Sequence, residues 1–165
     1  MKTLLLLRHA KAENPAPGSS DFDRTLTQSR GQGEARAVGI FIQKLDAKPD
    51  LVLSSNAARA RETTELALRA AGLQSKVRYD QRIYEAEPLR LLEVISEIEN
   101  DISIVLLVGH NPGLESLIQL LTGHSASMTT GTLAKIDLDV DDWRSLTKEK
   151  SVLDWIVRPE HVAAN

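Results

Sequence analysis

The chain contains no cysteine. That absence removes disulfides, zinc–thiolate centres and every thiol nucleophile, including the one used by cysteine-dependent phosphatases. Any covalent chemistry must then use His, Ser, Thr, Asp, Glu, Lys or Tyr. Long apolar runs are also missing. The longest, Leu4 to Leu7 and Ile102 to Val108, are far too short to cross a bilayer. The first follows only Met1, Lys2 and Thr3 and is interrupted at once by Arg8-His9, so no signal peptide and a cytoplasmic location are expected. Neither sign of charge dominates: 20 Lys and Arg stand against 23 Asp and Glu, a net charge of −3, mixed along the chain. Such a balance gives no reason to expect a nucleic-acid or membrane-surface partner. No internal repeat is present, and 165 residues fit one domain over 1–165 with a substantial core.

What the chain does contain is an alternation of short apolar runs and amphipathic segments. Leu4 to Leu7, Leu51 to Leu53 and Ile102 to Val108 read as strands covered on both faces, with Val77 to Tyr79 a weaker strand. Between them, Ala35, Val38, Ile42 and Leu45 share one helical face, as do Ala57, Ala60, Thr64, Ala67 and Ala71. Leu91, Val94, Ile95 and Ile98 form a third stripe after Pro88. Leu114, Leu117, Ile118 and Leu121 form a fourth, with Asn111 expected as N-cap and Pro112 at the first helical position. Asn14 to Ser20, with Pro15, Pro17 and Gly18, reads as a surface loop. Near the C-terminus, Ala134, Ile136, Leu138 and Val140 alternate with polar residues as in a strand with one wet face, and Val152 to Val157 is expected to pair with it. The order predicts an α/β fold: a mainly parallel central sheet with helices on both faces.

Ligands of open α/β sheets bind beyond the carboxyl ends of the strands. Three apolar runs end there in residues able to act on a phosphate: Arg8-His9-Ala10-Lys11, then Ser54-Ser55-Asn56 leading to Arg59-Ala60-Arg61, and Gly109-His110-Asn111. Parallel strands would bring these to one rim, where two histidines and two arginines converge. That set suits phosphoryl transfer. Positioned guanidinium groups stabilise charge on the equatorial oxygens, and a neutral imidazole can attack phosphorus if one ring nitrogen stays unprotonated.

With these residues in this order, the chain resembles the histidine phosphatase superfamily, which also contains the cofactor-dependent phosphoglycerate mutases. Arg8-His9 matches its Arg-His signature, and the resemblance implies that His9 is the nucleophile. Ser55 followed by Arg59-Ala60 and Thr63 matches the segment carrying a second phosphate-binding arginine, so Arg59 is preferred over Arg61. Gly109-His110 matches the second histidine, a phosphate donor. The short chain, Arg8-His9-Ala10-Lys11, Asp21-Phe22-Asp23-Arg24 with Leu26-Thr27, and Gly109-His110-Asn111-Pro112 are similar to the compact SixA-type phosphohistidine phosphatases. That likeness makes Arg24, Lys11 and Asn111 candidates for substrate binding. Gly31 follows Leu26-Thr27 one residue later than the usual spacing. Arg82-Ile83-Tyr84-Glu85 resembles the segment that holds the acidic donor of the mutase branch, which makes Glu85 the candidate acid.

The resemblance implies a phosphoglycerate mutase-like fold and a phosphatase working through phosphohistidine on His9, with no metal or other cofactor. The expected substrate is a phosphohistidine on a signalling or phosphotransfer protein. The alternatives are a small-molecule phosphomonoesterase of the same superfamily and a non-catalytic module that binds a phospho-ligand. A metal-dependent hydrolase would have to draw on His9, His110, His124, His161 and the run Asp137, Asp139, Asp141, Asp142, but no His-Glu-x-x-His or comparable ligand spacing is present.

Overall fold

A computed structural model describes residues 1–160. Strands β1 (Lys2–Arg8), β2 (Leu51–Ser54), β3 (Lys76–Tyr79), β4 (Ile104–Gly109), β5 (Leu133–Leu138) and β6 (Ser151–Val157) form one sheet in the order β3-β2-β4-β1-β5-β6. The pairs β3–β2, β2–β4 and β4–β1 are parallel, while β1–β5 and β5–β6 are antiparallel. The parallel part holds the chemistry-bearing strand ends, and the expected C-terminal hairpin closes the other edge.

Side chains alternate across a strand, so β1 feeds two cores. Leu4 and Leu6 face α3 (Pro88–Ser96) and α4 (Gly113–Thr122), against Leu91, Val94, Leu114, Leu117 and Ile118. Leu5 and Leu7 face α1 (Arg30–Gln43) and α2 (Ala58–Ala71), against Val38, Ile42, Ala60 and Ala67. All four helices lie where their apolar stripes place them. Helix α4 begins one residue later than expected, with Pro112 at the N-cap. Beside that start the Asn111 amide donates to the Met128 carbonyl and the Glu115 carboxylate, while its Oδ1 lies 3.4 Å from the Glu115 N–H.

Two glycines mark close approaches. A Cβ on Gly39 of α1 would lie 2.3 Å from the Ala67 carbonyl of α2, so these helices pack backbone to backbone. A Cβ on Gly31 would lie 2.1 Å from the Lys11 carbonyl, which seats the first turn of α1 against the segment leaving β1. No helix among the described residues is long and apolar enough to cross a membrane.

Candidate active site

Arg8 and Gly109 end β1 and β4 as register partners, and Ser54 ends β2 opposite Val108. Because the three strands are adjacent and parallel, the residues that follow them, His9, Ser55 and His110, emerge at one rim. Main-chain bonds from His9 N to Gly109 O and from Ser55 N to Val108 O continue the pairing one residue beyond the strands. The site therefore rests on the ends of three mutually hydrogen-bonded strands.

His9 is 7% exposed. Its Nδ1 lies 2.8 Å from the Ala10 carbonyl oxygen. A carbonyl can only accept, so Nδ1 carries the hydrogen and Nε2 keeps its lone pair. Burial pushes the His9 pKa down to about 4; the Ala10 carbonyl opposes this, and the charges of Arg59, Arg8 and Arg24 add to it. The ring is therefore neutral near pH 7. His110 sits beside it, ring centroids 5.1 Å apart. Its Nε2 is 2.8 Å from Ser55 Oγ, and burial, followed by His9 and Arg59, pushes its pKa down to about 3. Two buried nitrogens of the cluster, Arg8 Nε and His110 Nδ1, have no protein partner among the described residues.

Arg59 projects from the first turn of α2 onto the buried face, whereas Arg61, two residues on, is exposed. Arg59 Nε lies 3.4 Å from His9 Nε2. Nη1 donates to the Asp21 carbonyl at 2.7 Å and Nη2 to the Asp21 carboxylate at 3.0 Å. Asp21 opens a 3-10 turn over Asp21–Asp23 in the loop between β1 and α1. Its carboxylate also accepts from Tyr84 Oη at 2.5 Å and from Arg24 Nη1 at 2.8 Å. Tyr84, Arg24 and Arg59 hold the Asp21 pKa well below the usual carboxylate range. The Tyr84 ring stacks edge-on against His110 and lies 5.7 Å from the Arg59 guanidinium.

A second layer fixes these groups. Thr63 Oγ1 accepts the Ala10 N–H at 3.0 Å and donates to the Arg59 carbonyl at 2.7 Å, tying β1 to α2. The Met128 carbonyl accepts from Arg8 Nη1 at 2.9 Å and from Asn111 Nδ2 at 2.8 Å.

The fold thus brings together Arg8, His9, Arg59, His110 and, through Asp21, Arg24. The others stand apart. The Asn111 side-chain amide spends both hydrogens on Met128 and Glu115. Lys11 is exposed, and its backbone, not its amine, contacts Glu34 and Thr27. Glu85 is exposed at a left-handed φ of 49°, and its carboxylate makes no hydrogen bond among the described residues. Asp21 and Tyr84 enter the sequence reading only as members of matched segments; they are 63 residues apart, and nothing in the chain signals their contact. Among the described residues no three His, Asp or Glu side chains are grouped to hold a metal ion. Asp137 pairs with Lys135, Asp142 pairs with Arg144, and His161 lies outside the described residues.

The sequence model of the histidine phosphatase superfamily (branch 1) matches residues 4–91. An uncharacterized protein of Mycobacterium tuberculosis is 35% identical over 121 residues, 73% of each chain. Among solved structures, one described as a candidate phosphohistidine phosphatase SixA from Agrobacterium tumefaciens has a TM-score of 0.82 and 32% identity, over 96% of this chain and 98% of that one. A similarly described structure from Nakamurella multipartitia has a TM-score of 0.83 and 28% identity, over 96% of both chains.

Proposed function

This chain belongs to the histidine phosphatase superfamily, and as a phosphatase of that family, we propose, it carries the phosphoryl group on Nε2 of His9 and takes it from a phosphohistidine on a signalling or phosphotransfer protein. One observation carries the reading: a buried, neutral imidazole whose free Nε2 stands beside a buried guanidinium.

In the first half-reaction the Nε2 lone pair forms a bond to phosphorus as the bond to the leaving nitrogen breaks, and the substrate ring, protonated on its other nitrogen, departs as neutral imidazole. The His9 Nδ1–H, already on the Ala10 carbonyl, steadies the positive charge that develops on the ring. Arg59 Nε turns from Nε2 to an equatorial oxygen. Arg8 Nε is a donor with no protein partner, and so is His110 Nδ1 when Ser55 donates to Nε2 of that ring; both suit the other oxygens. In the second half-reaction water attacks phosphorus, inorganic phosphate leaves and Nε2 regains its lone pair. The cationic groups supply the charge that a metal would otherwise bring, so no metal is needed. An imidazole is a better leaving group than an alkoxide and needs less help from an acid. That fits a chain in which Asn111, and not an acid, follows His110, and in which Glu85 is exposed.

The test is chemical trapping. Quenching during turnover should capture a phosphate on His9 that is labile in acid and stable in base, and His9→Ala should abolish both label and turnover while keeping the far-ultraviolet spectrum. A label on serine or aspartate would refute the assignment.

A further inference from the structure

Asp21 does something to Arg59 that the proposed chemistry does not by itself require. A guanidinium has two edges able to bind an oxyanion in bidentate fashion: the outer edge, Nη1 and Nη2, and the side edge, Nε with Nη2. Here one residue takes the whole outer edge, through its main-chain oxygen on Nη1 and its carboxylate on Nη2. The side edge is left turned to the interior, with Nε directed at His9 Nε2. Asp21 is in turn fixed by two other side chains, one from its own loop and one from the segment before α3. Tyr84 Oη holds the same carboxylate oxygen as Arg59, and Arg24 Nη1 holds the other while its Nε is pinned to the Glu13 carbonyl. Arg59 thereby sits in a frame drawn from α2, the loop after β1 and the segment before α3.

We propose that Asp21 is a positioning residue for the phosphate clamp: it grips the outer edge of Arg59 so that the side edge is presented to a phosphoryl group at His9. This rests on the phosphatase reading of the site and adds to it a residue and a role. It also gives Arg24 a function through Asp21. A free Arg59 side chain has several rotatable bonds and would lose that freedom only on meeting the substrate; in the Asp21 frame it is already in place. The same contact has an opposite reading, in which Asp21 is an internal competitor that substrate must expel from Arg59. The two readings predict effects of opposite sign. If Asp21 positions, its removal weakens capture of an oxyanion; if it competes, removal strengthens capture.

Three measurements decide it. The first needs no turnover. The Arg59 Nε–H signal, assigned by its loss in Arg59→Ala, should be slowly exchanging and as rigid as the backbone in wild type. It should become mobile in Asp21→Ala and less so in Asp21→Asn, which keeps an oxygen acceptor. Unchanged order in Asp21→Ala would overturn the proposal. The second is the affinity for orthovanadate, which Asp21→Ala should weaken about tenfold; tighter binding would establish competition instead. The third is a double-mutant cycle on aryl phosphate hydrolysis. Asp21→Ala should lower kcat by about 10- to 100-fold in wild type, the scale of a misplaced catalytic group, and by almost nothing in an Arg59→Ala background. Equal losses in both backgrounds would mean that Asp21 acts on general structure and not through Arg59. A wild type inert toward every phosphate would count against the phosphatase reading, and the Arg59 signal would still report on Asp21.

Discussion

For a histidine to serve as a phosphorus nucleophile at neutral pH, its proton must be on the right nitrogen and its ring must resist taking a second one. His9 meets both conditions through the Ala10 carbonyl and its burial. A consequence for stability follows. The His9 and His110 pKa values in the folded chain fall to about 4 and about 3, below the ordinary 6.5. The unfolded chain therefore binds protons that the folded chain refuses once the pH drops below 6.5. Stability from this source is complete above that value and is lost as the pH falls toward 4. Thermal unfolding should show a lower Tm at about pH 5 than at about pH 7, and His9→Asn should flatten that slope. An equally steep slope in the variant would show that other groups cause it. The arginines separate just as sharply. Arg59 is buried against His9, and Arg61 is exposed on the same helix. Arg59→Ala should cost about 10²- to 10³-fold in kcat, the range for removing one donor to transition-state charge. Arg61→Ala should cost less than about threefold. Steady-state kinetics on both variants would expose an error in helix register as equal losses.

At the scale of elements, the site depends on how closely α2 can be held against the rest. Helix α2 supplies Arg59 and Thr63, and its position is set by packing on α1 at Gly39. Gly39→Ala adds a carbon 2.3 Å from the Ala67 carbonyl and 2.8 Å from the Ala70 Cβ, neither of which is a flexible side-chain end. Alanine gains about 1 kcal/mol of helix propensity over glycine, while forced overpacking costs roughly 1–3 kcal/mol. Net destabilisation is expected, read as a Tm lower by a few degrees. Gly33, also in α1, has open space around its Cβ, so Gly33→Ala is the control and should raise the Tm slightly. If both substitutions raise it, the helices have more room than the contact at Gly39 implies.

At the scale of the whole molecule, the candidate site lies at the ends of three adjacent parallel strands, and the antiparallel edge β5–β6 contributes no side chain to the cluster. Substrate choice concerns what the rim admits. Comparing a phosphohistidine protein with an aryl phosphate, in wild type and Glu85→Gln, addresses it directly. The phosphohistidine should be preferred and hardly affected by the substitution. The ester should slow in proportion to the basicity of its leaving group if Glu85 donates a proton. Equal loss on both substrates would rule out that role. Neither activity should change in a chelator, and recovery on adding back one specific ion would refute metal independence.

Much of this was legible in the chain itself. Apolar runs ending in Arg8-His9 and Gly109-His110, and helical stripes such as Leu114, Leu117, Ile118 and Leu121, are local patterns, the first continuous and the second of period 3.6. Parallel strands have few ways to be joined, so such patterns already imply that the polar ends share a rim. What the chain order could not show is which atoms meet across that rim. The Asp21 grip on Arg59, the Tyr84 hydroxyl on the same carboxylate and the Met128 carbonyl shared by Arg8 and Asn111 join residues 38, 63, 120 and 17 positions apart. These pairings follow from loop paths and side-chain rotamers, and no periodicity encodes either. The surroundings of the α4 start show the same limit, since Asn111 there meets the carbonyl of Met128, 17 positions on, a contact that no local pattern signals. Residue type and period determined the fold and which candidate residues share its rim. Only tertiary packing decided which charges face one another, because desolvation and hydrogen-bond direction depend on atoms that the sequence places far away.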